Sequence, residues 1–512
     1  MPSRRHCPLP MNLRPDPHIT DAARAGAEHT LVRDAGWATV TGAFSSGIIL
    51  IAFALTLGAQ PLHVGILAAI PFLAQAAQWP ATLLVERVRQ RRRIGVWAIT
   101  AARVVILSMA AIPFAPRDSQ LGLLMLSQVL IAVLNGIGGC AVNSWLHQLV
   151  PREDLGRFFS RRLLWGTIGG CLATLGAGVL VDHLPAWIAP WWPTAERSDA
   201  FAVAFVLSAL AGFLSSFYLA RTPEPMMPPP SATERLRDML IEPFRHPGFR
   251  KLLVFLAAWG LASNVAAPFI SVWLIRQNGF PMTAVTSLWV SSQIATAVTL
   301  FLWGKLSDRM SNKAVLAVAL PAYFACTLAL VFGDALRDVG DKLAALYVIH
   351  IAMGVAGGGI GLAIGNLGLK CAPQGRGTAY LAAIGVVSAA AGGIAPLIAG
   401  SLAQAAKDVE LSAVIRFVTS ERAGEFAVVQ FAHWEFLFAL SALLGLYVMH
   451  ALSRIQEGRE FSERVVIQEF AFEALRMVDS LSSIAGTFSS LFPVDRMLGR
   501  LGLKRTAQGL SG

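Results

Sequence analysis

The chain is short of charge. Of its 512 residues only 14% are Asp, Glu, Lys or Arg, while 55% are hydrophobic, and the mean hydropathy is +0.58. A soluble domain carries roughly 25% charged residues, so the formal charge of +11 is not the footprint of a nucleic-acid binder. Cysteine is scarce as well. Cys7, Cys140, Cys171, Cys326 and Cys371 are odd in number and scattered, which speaks against a disulfide framework and against zinc-ligand spacing. Residues 1–34 contain Pro, Arg, Asp and His without an apolar core, so no cleavable signal is expected, and Met11 stands as an alternative start. There is no His-Glu-x-x-His, no Gly-x-Ser-x-Gly nucleophile turn and no phosphate-cradling loop, so neither an enzyme nor a cofactor is expected.

Long apolar runs are what the chain has. About 20 such residues span a bilayer core, and runs of that kind recur twelve times, at 35–58, 61–85, 94–114, 121–147, 163–182, 200–220, 252–275, 282–304, 314–333, 343–366, 379–405 and 434–452. Counted on alternate sides, the loops on the side of both termini hold 33 Lys and Arg and the other side 8. The positive-inside rule then places both termini in the cytoplasm. Arg outnumbers Lys 35 to 7, and Ala is abundant, a compositional hint of a GC-rich bacterial source and so of the inner membrane.

The chain also answers itself across a fixed offset. Leu84-Val85-Glu86-Arg87-Val88-Arg89-Gln90-Arg91 reads like Leu306-Ser307-Asp308-Arg309-Met310-Ser311-Asn312-Lys313, 222 residues on. The same shift carries Trp37 to Trp259, Gly136 to Gly358 and Pro151 to Pro373; one residue more carries Asn143 to Asn366. An offset near half the chain implies a duplicated unit. The expected organisation is a segment 1–34, a six-helix half at 35–220, a Pro- and Arg-containing linker at 221–251, a second six-helix half at 252–452 and a tail at 453–512.

Twelve spans in two halves, a long central linker and the loop after the second span of each half together resemble the major facilitator superfamily. Gly304-Lys305-Leu306-Ser307-Asp308-Arg309-Met310-Ser311-Asn312-Lys313 is similar to its loop signature, departing at Ser311 and Asn312; the first copy is degenerate, with Thr82 for Gly and Glu86 for Asp. The resemblance implies an all-α membrane fold of two pseudo-symmetric six-helix bundles and alternating-access transport of a small solute. It also implies a cytoplasmic gate built from Glu86, Arg87, Asp308 and Arg309. The loops after the fourth span of each half, with Arg157 and Arg376, join that gate or else anchor headgroups. The family's fourth-span Arg is replaced here by Ala132, which leaves that kind of proton coupling without its residue.

Several interior residues are candidates for the substrate path. Arg103 lies mid-way along the third span, where a charge costs roughly 2.5–3.5 kcal/mol and must meet water or polar groups. No carboxylate is expected at its depth, since Asp34, Glu86, Asp182 and Glu435 all fall near span ends. Neutral or anionic solutes are therefore favoured. His350 is the one imidazole well inside a span; it either titrates during transport or bonds neighbouring helices. From the spans that line the path in the resembling family come Thr39, Thr41, Ser45, Ser46, Asn135, Asn143, Trp259, Ser263 and Asn264, with Trp289, Ser292 and Gln293 from the eighth.

In the tail, Ile467, Ala474, Leu481 and Phe488 recur every seven residues, as do Phe470, Met477, Ile484 and Leu491. This amphipathic helix is read as lying on the membrane surface or the cytoplasmic face. A dimerising coil and a loosely ordered tail are the other readings, and a monomer is expected unless the tail pairs. The rival function is a transporter-like scaffold or regulator acting through that tail. The expected partners are the lipid bilayer and an unidentified small-molecule substrate.

Overall fold

In the computed structural model the described residues are 13–473, apart from 14, 17, 18, 151–154, 195, 228–235, 336, 337, 372–376, 407, 419–422, 433, 456 and 458–464. Among the described residues, twelve helices are long and apolar enough to cross a membrane: Gly26–Thr56, Pro61–Val88, Arg91–Phe114, Arg117–Leu146, Arg157–Ile188, Arg197–Arg221, Pro247–Gln277, Met282–Arg309, Asn312–Gly333, Val339–Lys370, Ala379–Ala405 and Glu435–Ser453. They are called the first to twelfth spans. Most run beyond the apolar stretches read from the sequence, because a helix continues past the hydrocarbon layer as long as its backbone bonds stay within it.

The first helix starts at Asp21, where Thr20 Oγ1 accepts the Ala23 amide at 3.3 Å. It is interrupted mid-span. Ser46 is extended and Gly47 takes φ +58°, a conformation open to glycine without strain, before helix resumes at Gly47–Thr56. Pro268 lies 222 residues after Ser46, inside the seventh span. Proline removes a backbone donor there, and that span finishes in a π-helical turn at Trp273–Gln277. The duplicated halves thus carry a helix break and a proline at matching places of their opening spans.

Each half has its own core. In the first, Phe53 packs on Phe201 and Phe205, with ring centroids 5.3 and 5.1 Å apart. In the second, Phe249 meets Tyr380 at 4.6 Å, and Trp259 meets Tyr323 and Phe324 at 5.2 and 5.9 Å. A further cluster joins the halves, with Ile51 and Val64 among Val265, Phe269, Ala395 and Ala399. Among the described residues one element is not helical. The loop after the eleventh span holds an antiparallel hairpin, β1 (Glu410–Val418) and β2 (Ala423–Ala432), with a register irregularity at Ala413/Val414. The run Leu411-Ser412-Ala413-Val414-Ile415-Arg416-Phe417-Val418 is rich in residues that favour strands. The two faces of the molecule are called the hairpin side and the linker side.

The linker and the tail hold corresponding places. Glu224, just after the sixth span, accepts the Arg91 amide at 2.7 Å and the Arg92 amide at 3.0 Å, and pairs with the Arg91 guanidinium at 3.2 Å with both side chains fully buried. Arg91 also donates to the Ser144 and Pro225 carbonyls. Glu457, after the twelfth span, accepts the Lys313 amide at 2.7 Å and the Asn312 side-chain amide at 2.6 Å, with Lys370 at 3.2 Å. Arg91 and Lys313 are 222 residues apart. In both halves, a carboxylate from the segment leaving the sixth helix caps the third.

Beyond Glu457 the described tail docks on the second half. Residues 465–473 are helical, Val466 is fully buried, and the Phe470 ring lies 4.4 Å from that of Trp303. Glu473 pairs with Arg309 at 2.7 Å and Lys305 at 3.3 Å. The later heptad positions, from Ala474 to Leu491, lie outside the described residues. Of the two candidate surfaces read from the sequence, these first two and a half turns use the protein face: Phe470 packs inward while Ile467 stays exposed. Burial pushes the Glu473 carboxyl up, but hydrogen bonds and charge from Lys305 and Arg309 outweigh it and hold it below the ordinary glutamate value of 4.5. A depressed folded pKa stabilises docking above 4.5 and is lost as pH falls through the lowered value. Glu473→Gln should therefore speed amide exchange across 465–473 at neutral pH, and acid should do the same to the native chain but not to the variant. Equal exchange in both proteins at every pH would refute the clamp.

Candidate functional site

Between the halves lies a cavity of about 990 Å³, at the upper end of what small-molecule sites usually offer. Its wall comes from the first span (Thr39, Gly42, Ser46, Gly47), the second (Leu67, Pro71), the fifth (Arg162, Gly166, Thr167, Gly170), the seventh (Pro268, Ser271) and the eighth (Trp289, Gln293). The break at Ser46–Gly47 and Pro268 both face it. Most of the lining is apolar. Among the described residues that line it, Arg162 is the one Asp, Glu, Lys or Arg.

The cavity is sealed on the hairpin side. Asp182, near the end of the fifth span, accepts the Met282 amide at 3.0 Å and both the Thr283 amide and hydroxyl at 2.7 Å. A carboxylate of one half thereby caps the N-terminus of the eighth span in the other, where the helix dipole favours negative charge. Arg197 pairs with the same carboxylate at 3.0 Å. Arg276 donates to the Ala59 carbonyl at 3.4 Å. The second and eleventh spans meet backbone to backbone: a Cβ on Gly65 would stand 2.3 Å from the Pro396 carbonyl oxygen and 3.2 Å from Gly400 Cα. The hydrogen bonds just described all lie on the hairpin side, opposite the linker side. The cavity extends that way, past Ala35, Phe159 and Arg162.

Some of the residues read from the sequence come together here and others do not. Thr39, Ser46, Trp289 and Gln293 line the cavity. Thr41 and Ser45 point away from it: both are buried, Ser45 donates to the Thr41 carbonyl, and Ser208 of the sixth span donates to that same carbonyl. The reason is helical phase. Residues 35, 39, 42 and 46 form one stripe of the first helix, while 34, 41 and 45 form another that faces the sixth span. Asn135 is half-buried in the fourth span and is not a lining residue. Trp259 packs in the second core, and Asn264 bonds the Gly260 carbonyl of its own helix. His350 is buried, with Nδ1 on the Leu346 carbonyl at 2.8 Å, a satisfied intrahelical contact.

Arg103 also lies off the cavity. Its side chain fills the space over Gly212 of the sixth span, where an added Cβ would fall 2.4 Å from Arg103 Cδ, and its Nε has no hydrogen-bond partner among the described residues. A carboxylate read from the sequence as a span-end residue nonetheless acts on it. Asp34 is buried and exerts its charge on Arg103. Helix begins thirteen residues before Asp34, so its position near the start of an apolar run did not make it an end residue. Asp34 accepts from the Ser215 hydroxyl at 2.7 Å and faces Arg162 at 3.8 Å. Arg162 was not among the candidates singled out from the sequence.

Among the gate candidates, Glu86, Arg87, Asp308 and Arg157 are exposed on the linker side, and Arg309 is held by Glu473. Arg376 lies outside the described residues. The first copy's bases do not reach a gate either: Arg91 and Arg92 are committed to Glu224 and the linker. No group of three or more His, Cys, Asp or Glu that could hold a metal occurs among the described residues.

Known structures share this architecture. The nucleoside transporter NupG superposes with a TM-score of 0.58 at 12% identity, covering 85% of this chain and 100% of its own. A bacterial homologue of the iron transporter ferroportin in an inward-facing state gives 0.59 at 14%, covering 84% and 98%. A bacterial homologue of the human lysosomal transporter Spinster, inward-facing and unoccupied, gives 0.56 at 15%, covering 88% and 97%. At such identities the likeness is one of fold. No curated protein matches the chain. The family model described as Major Facilitator Superfamily matches residues 35–396. With that match over well beyond half its length, the chain belongs to the major facilitator superfamily and is a multi-pass membrane transporter.

Proposed function

We propose that the protein is a secondary transporter that moves a small solute by alternating access, and that the arrangement described above is its state open to the cytoplasm. The observation that carries this reading is the central cavity, sealed on the hairpin side by Asp182 on the eighth span and extended toward the linker side. The excess of Lys and Arg on the linker side supports its being cytoplasmic, in a bacterial inner membrane. Because the linker side is open, Asp308 and Glu86 stand exposed. Their latching contacts, a carboxylate beside a helix N-terminus and an Arg, belong to the opposite state, in which that side closes.

The test is a ligand screen by thermal shift on the full chain in nanodiscs, since a ligand that binds the folded state raises its stability by mass action. Each hit is then offered to proteoliposomes. The expected result is flux of at least one hit, slowed in Asp308→Asn at normal abundance and less affected in Glu86→Gln, whose loop is degenerate. Binding without flux for every hit would overturn the transport reading. Normal flux in Asp308→Asn would remove the latch.

A further inference from the structure

We infer that Arg162 is the anchor for an anionic group of the substrate, and that Asp34 is a built-in stand-in that the substrate displaces. The inference rests on the transport reading and names the substrate class: an organic anion with an apolar body.

Three ionisable side chains from three spans meet behind the cavity wall. Asp34 faces Arg162 of the fifth span, 3.8 Å away, and lies within electrostatic reach of Arg103 of the third. Ser215 of the sixth donates to it. Two guanidinium groups share one carboxylate, so the cluster holds one positive charge in excess at membrane depth. An unbalanced buried cation is costly, and whatever neutralises it is bound strongly. The two arginines differ in access. Arg103 is sealed against Gly212, whereas the Arg162 side chain is 24% exposed and lines the cavity. The excess charge is therefore offered to the cavity through Arg162. Among the described residues that line the cavity there is no carboxylate to satisfy it.

The Asp34–Arg162 contact is long for a charge-assisted bond, which is usually 2.7–2.9 Å, and Asp34 keeps Ser215 and the field of Arg103 when Arg162 turns away. Exchange of one carboxylate for another at Arg162 then leaves no ion unpaired. The rest of the wall, from Thr39 and Ser46 to Leu67, Pro268 and Trp289, is suited to an apolar or aromatic body.

The test needs no knowledge of the natural substrate. Thr39 is exposed in the cavity, its hydroxyl bonds only its own helix, and it touches Gly166, one turn from Arg162. In a cysteine-free chain carrying Thr39→Cys, the rates of reaction with anionic sulfonatoethyl and cationic trimethylammonioethyl methanethiosulfonate are compared. Arg162→Gln should lower the anion-to-cation rate ratio at least about fivefold, Arg162→Lys should keep it, and Asp34→Asn should raise it, because these changes reset the local potential. 4-Butylbenzoate should protect the cysteine where its neutral amide does not, and Arg162→Gln should abolish that protection. If both reagents react but the ratio ignores Arg162 and Asp34, the pair is structural and the anchor is refuted while the transport cavity stands. If neither reagent reacts, the cavity itself is not water-accessible and both readings fall. Should Arg162→Gln not fold, Arg162→Lys and Asp34→Asn still decide, since a ratio unmoved by Asp34→Asn is itself contrary.

Discussion

Gly65→Leu should hold the hairpin side open. A Cβ at this position would stand 2.3 Å from the Pro396 carbonyl oxygen and 3.2 Å from Gly400 Cα, and both obstacles are backbone. No rotamer change relieves a clash with backbone, so the second and eleventh spans must separate. Overpacking of this kind costs roughly 1–3 kcal/mol. A transporter can escape the cost by populating its other state, and such an energy shifts the balance on the order of 5–150-fold. The expected phenotype is normal insertion, loss of the cytoplasm-open population and strongly reduced flux. Gly361→Leu is the control, because a Cβ there meets nothing within 4 Å. Equal flux in the two variants would show that the contact of Gly65 with the eleventh span is not part of the cycle.

Glu224→Ala should be the most destabilising single change on the linker side. It leaves the Arg91 guanidinium, fully buried, without its counter-charge, and it removes the acceptor of two amides at the start of the third span. Breaking a buried pair from one side costs roughly 3–5 kcal/mol, because the remaining charge is stranded. In thermal unfolding that is on the order of 10 °C for a bundle of this size. Glu457→Ala removes the corresponding cap in the second half, but its Lys370 partner is 57% exposed, so the loss there should be nearer the ~1 kcal/mol of an ordinary helix cap. Comparable melting shifts for the two variants would contradict the distinction drawn from burial.

Much of the fold was legible in the sequence because the bilayer makes it so. Twelve apolar runs and a repeated loop place the spans and halves without any knowledge of packing. The site was less legible, and the first span shows why. Thr39, Thr41, Ser45 and Ser46 are chemically alike and close in sequence, yet 39 and 46 face the cavity while 41 and 45 face the sixth span. Helical period separates the two stripes, but only the arrangement of neighbouring helices says which stripe is wet. Arg103 and Arg162 exchange places for a related reason. Depth in the membrane is readable from position in a run; direction is not. The deep arginine turned toward Gly212, and the one near a span end reached the cavity beside a buried aspartate. Glu224 and Glu457 carried no local signal, since their partners lie 133 and 144 residues away.

The central claim is that the sealed hairpin side and open linker side are one of two interchanging arrangements. Spin-label distances across both sides of the full chain in nanodiscs measure this directly. One pair, Gln60→Cys with Ala405→Cys, spans the second and eleventh helices on the hairpin side; the other, Gln148→Cys with Leu369→Cys, spans the fourth and tenth on the linker side. The native background should show a short hairpin-side distance and a long linker-side distance as the main population. Asp182→Ala, which uncaps the eighth span, should lengthen the first and shorten the second together. Distances that stay single and fixed in both backgrounds, or that move in the same direction, would contradict alternating access.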